Sequence, residues 1–303
     1  ANEAGSMWIT FNGEIYNYRE LRAGLLKRGH RFRSQTDTEV VLHLYEEEGA
    51  RCLNSLRGMF AFAIWDCSHK TIFAARDRFG QKPLYYASLG KRFIFASEIK
   101  ALLACPEISV EPDPVATDYY LAQRFIPPPL TMIRGIRKLP AGHWLQWRAG
   151  NLRVEPYWQP TFSASPPRKD SDWIAELGER VNEAVRVHLV SDVPVGALLS
   201  GGIDSSIIVA SMAGQLDSPV QTFCIGSNGA GFDERRFAQQ VAGRFQTKHR
   251  EQIVSGEPLS SIPELVECLD EPSDPIAACM FEAARLASKH VKVALSGDGG
   301  GEI

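Results

Sequence analysis

The sequence is poor in features that would assign it quickly. Its six cysteines, Cys52, Cys67, Cys105, Cys224, Cys268 and Cys279, form no C-x-x-C pair and have no metal-binding spacing. This excludes a zinc ribbon, a dithiol redox motif and a disulfide-stapled framework, and predicts reduced, mostly buried thiols in a cytoplasmic protein. No uninterrupted apolar run approaches the ~18 residues of a membrane-spanning helix. The longest, Met59 to Trp65, is strand-sized. Ala1 to Ser6 have neither the basic nor the apolar region of a signal peptide. Charge of one sign is lacking too: a formal net charge of -3 offers nucleic acid or an anionic membrane no basic surface. The histidines are scattered along the chain with no ligand-like cluster, so no imidazole receives a catalytic role. No internal repeat is evident.

The 303 residues, 44% of them hydrophobic, suffice for two globular domains with sizeable cores. The chain begins without Met and stops at Gly301-Glu302-Ile303 after a strand-to-loop transition, so a fragment truncated at both ends is expected.

The first half reads as an antiparallel β protein with a few helices. Met7 to Phe11 predicts a short strand running into Asn12-Gly13, a turn dipeptide. Helical spacing over Tyr18 to Arg28 ends at Gly29. A second helix is expected from the capping-box pattern Thr36-x-x-Glu39, with Val40, Val41, Leu44 and Tyr45 inward and Gly49 as its stop. Strand-like runs follow at Met59–Trp65, Thr71–Ala75 and Arg92–Ala96, then helical stretches near Glu98–Leu103 and Pro114–Arg124. A last hairpin joins His143–Trp147 to Leu152–Tyr157 across Ala149-Gly150-Asn151.

A linker over 159–170, rich in proline and serine, separates this domain (1–158) from a second one (171–303). There strands alternate with helices. Helix Asp172–Val190 carries Ile174, Leu177, Val181, Val185 and Leu189 on one side. Strand Val195–Leu199 precedes helix Asp204–Ala213, and strand Val220–Ile225 precedes helix Asp233–Phe245. Helices Ser260–Leu269 and Ala277–His290 precede strand Val291–Leu295. Such alternation predicts a doubly wound parallel sheet, with ligands beyond the carboxyl ends of its strands.

The most specific segment is Leu198-Leu199-Ser200-Gly201-Gly202-Ile203-Asp204-Ser205-Ser206, between an apolar strand and a helix. One reading is a helix start made of small residues for tight packing. The other is an anion cradle: glycines let the backbone approach, the helix adds its positive end, and three serines add hydroxyls. Asp204 suits a phosphate site if Mg²⁺ lies between carboxylate and phosphate. No Lys follows, so this is not the G-x-x-x-x-G-K-[ST] loop. Asn12-Gly13 likewise has two readings, a turn or a pair of N–H donors converging on one oxygen as an oxyanion hole.

The S-G-G-x-D-S-S string resembles the pyrophosphate loop of the ATP-pyrophosphatase family. Ser296-Gly297-Asp298-Gly299 resembles the S-G-[DE]-G motif of asparagine synthetases. Phe11-Asn12-Gly13-Glu14-Ile15-Tyr16-Asn17 resembles their glutaminase domain, and the likeness continues through Arg76-Asp77-Arg78-Phe79-Gly80, Lys138-Leu139-Pro140-Ala141-Gly142-His143 and Asp270-Glu271-Pro272. Most of the apolar, Arg and Asp residues in these connecting segments are expected to be scaffolding.

The resemblance implies an N-terminal-nucleophile glutaminase fold, α+β with antiparallel sheets, followed by an α/β adenine-nucleotide α-hydrolase-like synthetase domain. It implies an ATP-dependent carbon–nitrogen ligase that converts aspartate to asparagine through a β-aspartyl-adenylate, with glutamine as amide donor, ATP and Mg²⁺. A homodimer is compatible with it. By the same resemblance Asn12 and Gly13 form the oxyanion hole, and Glu14 and Asp37 hold glutamine with them. Leu199, Ser200, Gly201, Gly202, Asp204, Ser205, Ser206, Ile225, Ser296 and Gly297 bind ATP. Asp204 holds the metal, and Asp298 is the acid needed to make or aminate the adenylate. The family's nucleophilic cysteine would lie upstream of Ala1, so this fragment alone is expected not to hydrolyse glutamine. Gly301 stands where the family has a second metal-binding Asp. Relatives of this layout that amidate other carboxylates, such as cell-surface sugars, or that bind nucleotides without catalysis are the alternatives.

Overall fold

The computed structural model describes residues 1–162, 168–227, 233–254, 262–274 and 276–299. The chain divides into two compact units, one of Ala1–Phe162 with Cys268–Ser273, the other of Ser163–Glu267 with Asp274–Ile303. Part of the expected linker and Gly301 lie outside the described residues.

In the first unit, β1 (Met7–Ile15), β2 (Gly58–Asp66) and β3 (Thr71–Arg76) join β7 (His143–Arg148) and β8 (Asn151–Pro156) in an antiparallel sheet of order β1-β2-β3-β7-β8. A second sheet, order β5-β4-β6, comprises β4 (Tyr85–Leu89), β5 (Arg92–Ala96) and β6 (Arg137–Lys138). The period of two along β2 explains the layering. Phe60, Phe62 and Ile64 face a core shared with α1 (Tyr18–Lys27) and α2 (Asp37–Glu48). Ala61 and Ala63 point the opposite way, toward Leu84, Tyr86 and Phe95 of the second sheet. Beyond that sheet, Ala87 and Ile136 pack with Ile99 and Leu102 of α3 (Ile99–Leu103), giving helix, sheet, sheet, helix; α4 (Pro114–Gln123) follows in the chain.

Two local expectations fail here. Thr36 makes no side-chain capping bond. Glu39 instead accepts from Arg33 N, Ser34 N and Ser34 Oγ at 2.8, 2.7 and 2.5 Å, pinning the preceding loop rather than the helix start. Asn12-Gly13 is not a turn: β1 runs straight through it to Ile15, paired with β2 as far as Gly58. The hairpin β7–β8 forms as expected, but its turn is the two-residue Ala149-Gly150, both at positive φ, and Asn151 already belongs to β8.

The segment Cys268–Ser273 counts with the first unit for specific reasons. Asp270 Oδ2 accepts from Ile99 N at the start of α3 (2.6 Å). Glu271 bonds Lys138 Nζ (2.6 Å) and Met132 N (2.7 Å).

The second unit has a four-stranded parallel sheet of order β11-β10-β9-β12, with β9 (Val195–Leu198), β10 (Gln221–Ser227), β11 (Lys248–Val254) and β12 (Val293–Leu295). Ala197, Leu199 and Cys224 face α5 (Asp170–His188), α6 (Ile203–Ala213) and α7 (Arg235–Phe245). Leu198, Phe223, Ile225 and Ala294 face Leu286 and Ala287 of α9 (Ile276–Ser288) on the opposite side. The sheet is therefore wound on both faces. Not all of the predicted α5 stripe is buried: Val181, Val185 and Leu189 pack inward, whereas Ile174 and Leu177 are exposed, because only the carboxyl half of the helix joins the core that it shares with α6.

Among the described residues no helix is long and apolar enough to cross a membrane. All six cysteines are free, but only Cys52 and Cys224 are buried. Cys67, Cys268 and Cys279 are exposed, correcting the expectation of mostly buried thiols; Cys67 follows the end of β2, Cys268 lies on the outward face of α8 (Ile262–Leu269) and Cys279 on that of α9. Burial pushes the Cys52 thiol up to about 12 and, with nearby acids, the Cys224 thiol to about 11, which leaves both unreactive.

Candidate functional site

Strand order places two loops side by side in the second unit. Chain order reverses between β9 and β12: β10 and β11 continue to one side of β9, and β12 pairs on the other. That is the switch point at which doubly wound sheets bind ligands. The loop leaving β9 is Leu199 to Gly202, running into α6; the loop leaving β12 is Ser296 to Gly299.

Glycine makes the first loop possible. Gly201 has φ +84°, and a Cβ there would fall 2.5 Å from the backbone of Phe237 and Ala238 on α7. Gly202 is the residue before α6, whose first-turn amides have no partner within the helix and carry its positive end. The serines rigidify the turn. Ser200 Oγ accepts from Gly202 N (3.2 Å) and pairs with Ser205 Oγ (3.1 Å). Ser206 Oγ donates to Gly202 O (2.6 Å), so this hydroxyl shapes the loop. Ser205 is buried, whereas Ser200, Gly202 and Asp204 are exposed. Leu199 is buried, its amide committed to Phe223 O (2.8 Å), and Ile225 lies one strand over, on the α9 face.

The second loop rests on the first. A Cβ on Gly297 would lie 2.6 Å from Ser205 N and 2.9 Å from Asp204 Cβ. Next to it Ser296 Oγ donates to Asp298 Oδ2 (2.8 Å), fixing an exposed carboxylate. Two exposed acids, Asp204 in the first turn of α6 and Asp298 on the loop that rests against that turn, thus sit at the sheet's carboxyl edge. A hard, oxygen-seeking divalent cation fits that donor set.

The site residues of the first unit gather where β1 ends. Gly13 has φ +150°, and a Cβ there would collide with the Met59 carbonyl oxygen and lie 2.7 Å from Phe60 Cα. Gly58, paired with Ile15, is equally tight against Glu14 O. Asn12 Nδ2 reaches Ser97 Oγ at 3.4 Å, a long bond that a better acceptor could replace. Asp37, in the first turn of α2, accepts from Ile15 N (2.9 Å), which ties α2 to the strand just beyond Glu14.

Arg76 and Asp77, in contrast, are scaffolding. The Arg76 guanidinium donates to the carbonyls of Lys82, Leu139 and Gly80, at 2.7, 2.8 and 2.6 Å. Buried Asp77 accepts from the amides of Phe60, Phe79, Gln81 and Lys82.

Comparison with known proteins follows the same division. A glutamine amidotransferase domain model matches residues 1–158, and an asparagine synthase model matches residues 176–303. The chain is 38% identical over 304 residues to asparagine synthetase (glutamine-hydrolyzing) 1 of Bacillus subtilis, covering 99% of this chain and 48% of that protein. It is 40% identical over 305 residues to a putative asparagine synthetase of Mycobacterium bovis, covering 97% and 47%. The chain spans about half the length of these curated relatives. Among solved structures, a glutamine phosphoribosylpyrophosphate amidotransferase from B. subtilis aligns at TM-score 0.38 and 15% identity, over 84% of this chain and 62% of that one, too loosely to carry weight.

Proposed function

This chain belongs to the glutamine amidotransferase domain family through its first half and matches the asparagine synthase family through its second, and from that premise we propose that the whole protein is a cytoplasmic, glutamine-dependent asparagine synthetase. Glutamine and water give glutamate and ammonia in the first unit. In the second, an aspartate side-chain oxygen attacks the α-phosphorus of ATP, pyrophosphate leaves, and a β-aspartyl-adenylate forms. Ammonia then attacks the acyl carbon, AMP departs and asparagine remains. Adenylation is required because a free carboxylate resists nucleophiles.

The observation that carries this reading is the packing of Gly297 on Asp204 and Ser205. It sets the loop after β12 against the start of α6 at the switch point of the sheet, where doubly wound sheets bind ligands. Amides at the start of α6 and the hydroxyls of Ser200 and Ser205 bind the polyphosphate. Ser296 and Gly297 contact the nucleotide, and the backbones of Leu199 and Ile225 hold the adenine. Asp204, with Asp298 near it, would hold Mg²⁺, which when bound neutralises phosphate charge. Asp298 assists formation or amination of the adenylate. In the first unit Asn12 Nδ2 and Gly13 N–H stabilise the oxyanion formed as the glutamine amide is attacked, and Glu14 and Asp37 hold the substrate through its α-ammonium group.

Aspartate-dependent exchange of pyrophosphate into ATP by the full-length protein is the test. Exchange is expected with aspartate and lost in Asp204→Asn and Asp298→Asn. Exchange driven only by another acid would reassign the acceptor, and no exchange with any acid would overturn the proposal.

A further inference from the structure

The fold assembles a histidine–carboxylate cluster from distant positions, correcting the expectation that no histidines cluster. Glu3 precedes β1, His30 follows α1, and His43 and Glu46 lie three residues apart on α2. One ligand atom from each of the four falls within 4.8 Å of the others. We propose that Glu3, His30, His43 and Glu46 bind a single divalent cation of the zinc class, which staples the segment entering β1 to α2.

Donor spacing supports this. Tetrahedral zinc with bonds near 2.0–2.1 Å sets its ligand atoms about 3.3 Å apart. Here His43 Nδ1 lies 3.1 Å from Glu46 Oε2 and 3.6 Å from Glu3 Oε2, and His30 Nδ1 lies 3.6 Å from the other Glu3 oxygen, Oε1; with one atom from each residue the set spans up to 4.8 Å, so binding draws the donors inward. Two imidazoles and two carboxylates are a borderline donor set of the kind zinc accepts and magnesium does not favour.

The surroundings support it independently. A metal-bound histidine ordinarily turns its other nitrogen toward a carboxylate. His30 Nε2 lies 2.9 Å from Glu47 Oε1, and His43 Nε2 faces Glu39 Oε1 at 3.7 Å. The first pair is a hydrogen bond. The second is too long for one, and the fully buried His43 Nε2 has no hydrogen-bond partner among the described residues. The carboxylates are oriented too: Glu46 Oε1 accepts from buried Asn2 Nδ2 (2.6 Å), and Glu3 Oε1 from Arg31 N (2.8 Å). Phe32 closes one side, its ring edge-on to His43 at 4.8 Å. Four carboxylates around two imidazoles, one wholly buried, leave negative charge that Arg28 on Glu47 offsets only at the rim. A divalent cation would balance it at the centre. The competing account is a metal-free network of ion pairs and hydrogen bonds among the same side chains.

The full-length protein, stripped with chelator, would be titrated with zinc by calorimetry and with cobalt by visible absorption. One equivalent per chain, a tetrahedral cobalt spectrum and a zinc-dependent rise in the thermal midpoint are expected. The Glu3→Gln/His30→Gln double variant keeps buried His43 in place and should lose all three responses. Glu47→Gln, outside the ligand set, should weaken zinc binding about 10- to 100-fold. Absence of stoichiometric binding, or binding undiminished in the double variant, would overturn the site. A thermal midpoint that falls equally with and without zinc in that variant would assign the cluster to ion pairing alone.

Discussion

Gly297 leaves no room for a side chain against Asp204: a Cβ at 297 would come within 2.9 Å of the Asp204 Cβ and 2.6 Å of Ser205 N. The first neighbour belongs to a helix start and the second is backbone, so neither can swing aside. Gly297→Ala should separate the two loops while leaving the sheet intact. A displacement of about 1 Å at reacting groups can cost on the order of 10²-fold in rate. Pyrophosphate exchange is expected to fall by that order, with circular dichroism unchanged. Exchange at the full rate would show that the loops need not touch.

Gly13 makes a similar demand in the first unit. At φ +150°, with the Met59 carbonyl where a Cβ would go, Gly13→Ala must strain the backbone and push β1 from β2. The strain alone costs about 1–3 kcal/mol. A lower urea midpoint and weaker glutamine hydrolysis by the full-length protein should appear together. Asn12→Ala, which removes one oxyanion donor without strain, should cost about 10²–10³-fold in glutaminase turnover at nearly unchanged stability.

These two glycines mark what could and could not be read from the chain. Alternation of strands and helices after residue 170 suffices for the parallel sheet, since β9, β10 and β12 each contain a short apolar run next to a helical period. Asn12-Gly13 is a turn signal only when the partner strand leaves space, and β2 instead supplies Phe60, Met59 and Gly58 alongside Gly13, Glu14 and Ile15. Thr36 and Glu39 had capping spacing, but Ser34 and the backbone of Arg33 and Ser34 compete for the same carboxylate. β4, β6 and β11 carry no strand signal: Tyr85–Leu89 and Arg137–Lys138 are short, and Lys248–Val254 is too polar for an apolar run, being an edge strand. The loop motifs were legible by residue type, their contact only from three-dimensional strand order.

Asp66 gives a prediction in pH. Its buried carboxylate accepts from Ser68 N (2.8 Å), His69 N (3.0 Å) and the His69 ring (2.7 Å), closing the turn between β2 and β3. Burial alone would raise its pKa, but these donors outweigh it and hold the carboxyl below the ordinary aspartate range. A depressed folded pKa contributes stability above the unfolded value, and that contribution is lost as pH falls through the folded one. Asp66→Asn should therefore cost about 1 kcal/mol near neutrality. The gap to the parent should close in acid, as denaturant titrations at several pH values would show. A gap independent of pH would mean that the charge is not the stabilising feature.

Glu271 and Lys138 join residues far apart in sequence within the first unit. The Glu271 carboxylate is almost fully buried, 2.6 Å from Lys138 Nζ and 2.7 Å from Met132 N, while Lys138 also donates to Ile126 O at 3.2 Å. Removing one member strands the other: Glu271→Ala leaves an ammonium with one carbonyl, and Lys138→Met leaves a buried carboxylate with one amide. Breaking a buried pair in this way costs roughly 3–5 kcal/mol, and the partial exposure of Lys138 places the loss at the lower end. The double variant should cost clearly less than the two single losses added together, because no charge is then left unpaired. Unfolding midpoints for the four proteins close the cycle. Additive losses would mean that the segment Cys268–Ser273 is held by other bonds, such as that of Asp270 to Ile99 N, rather than by this ion pair.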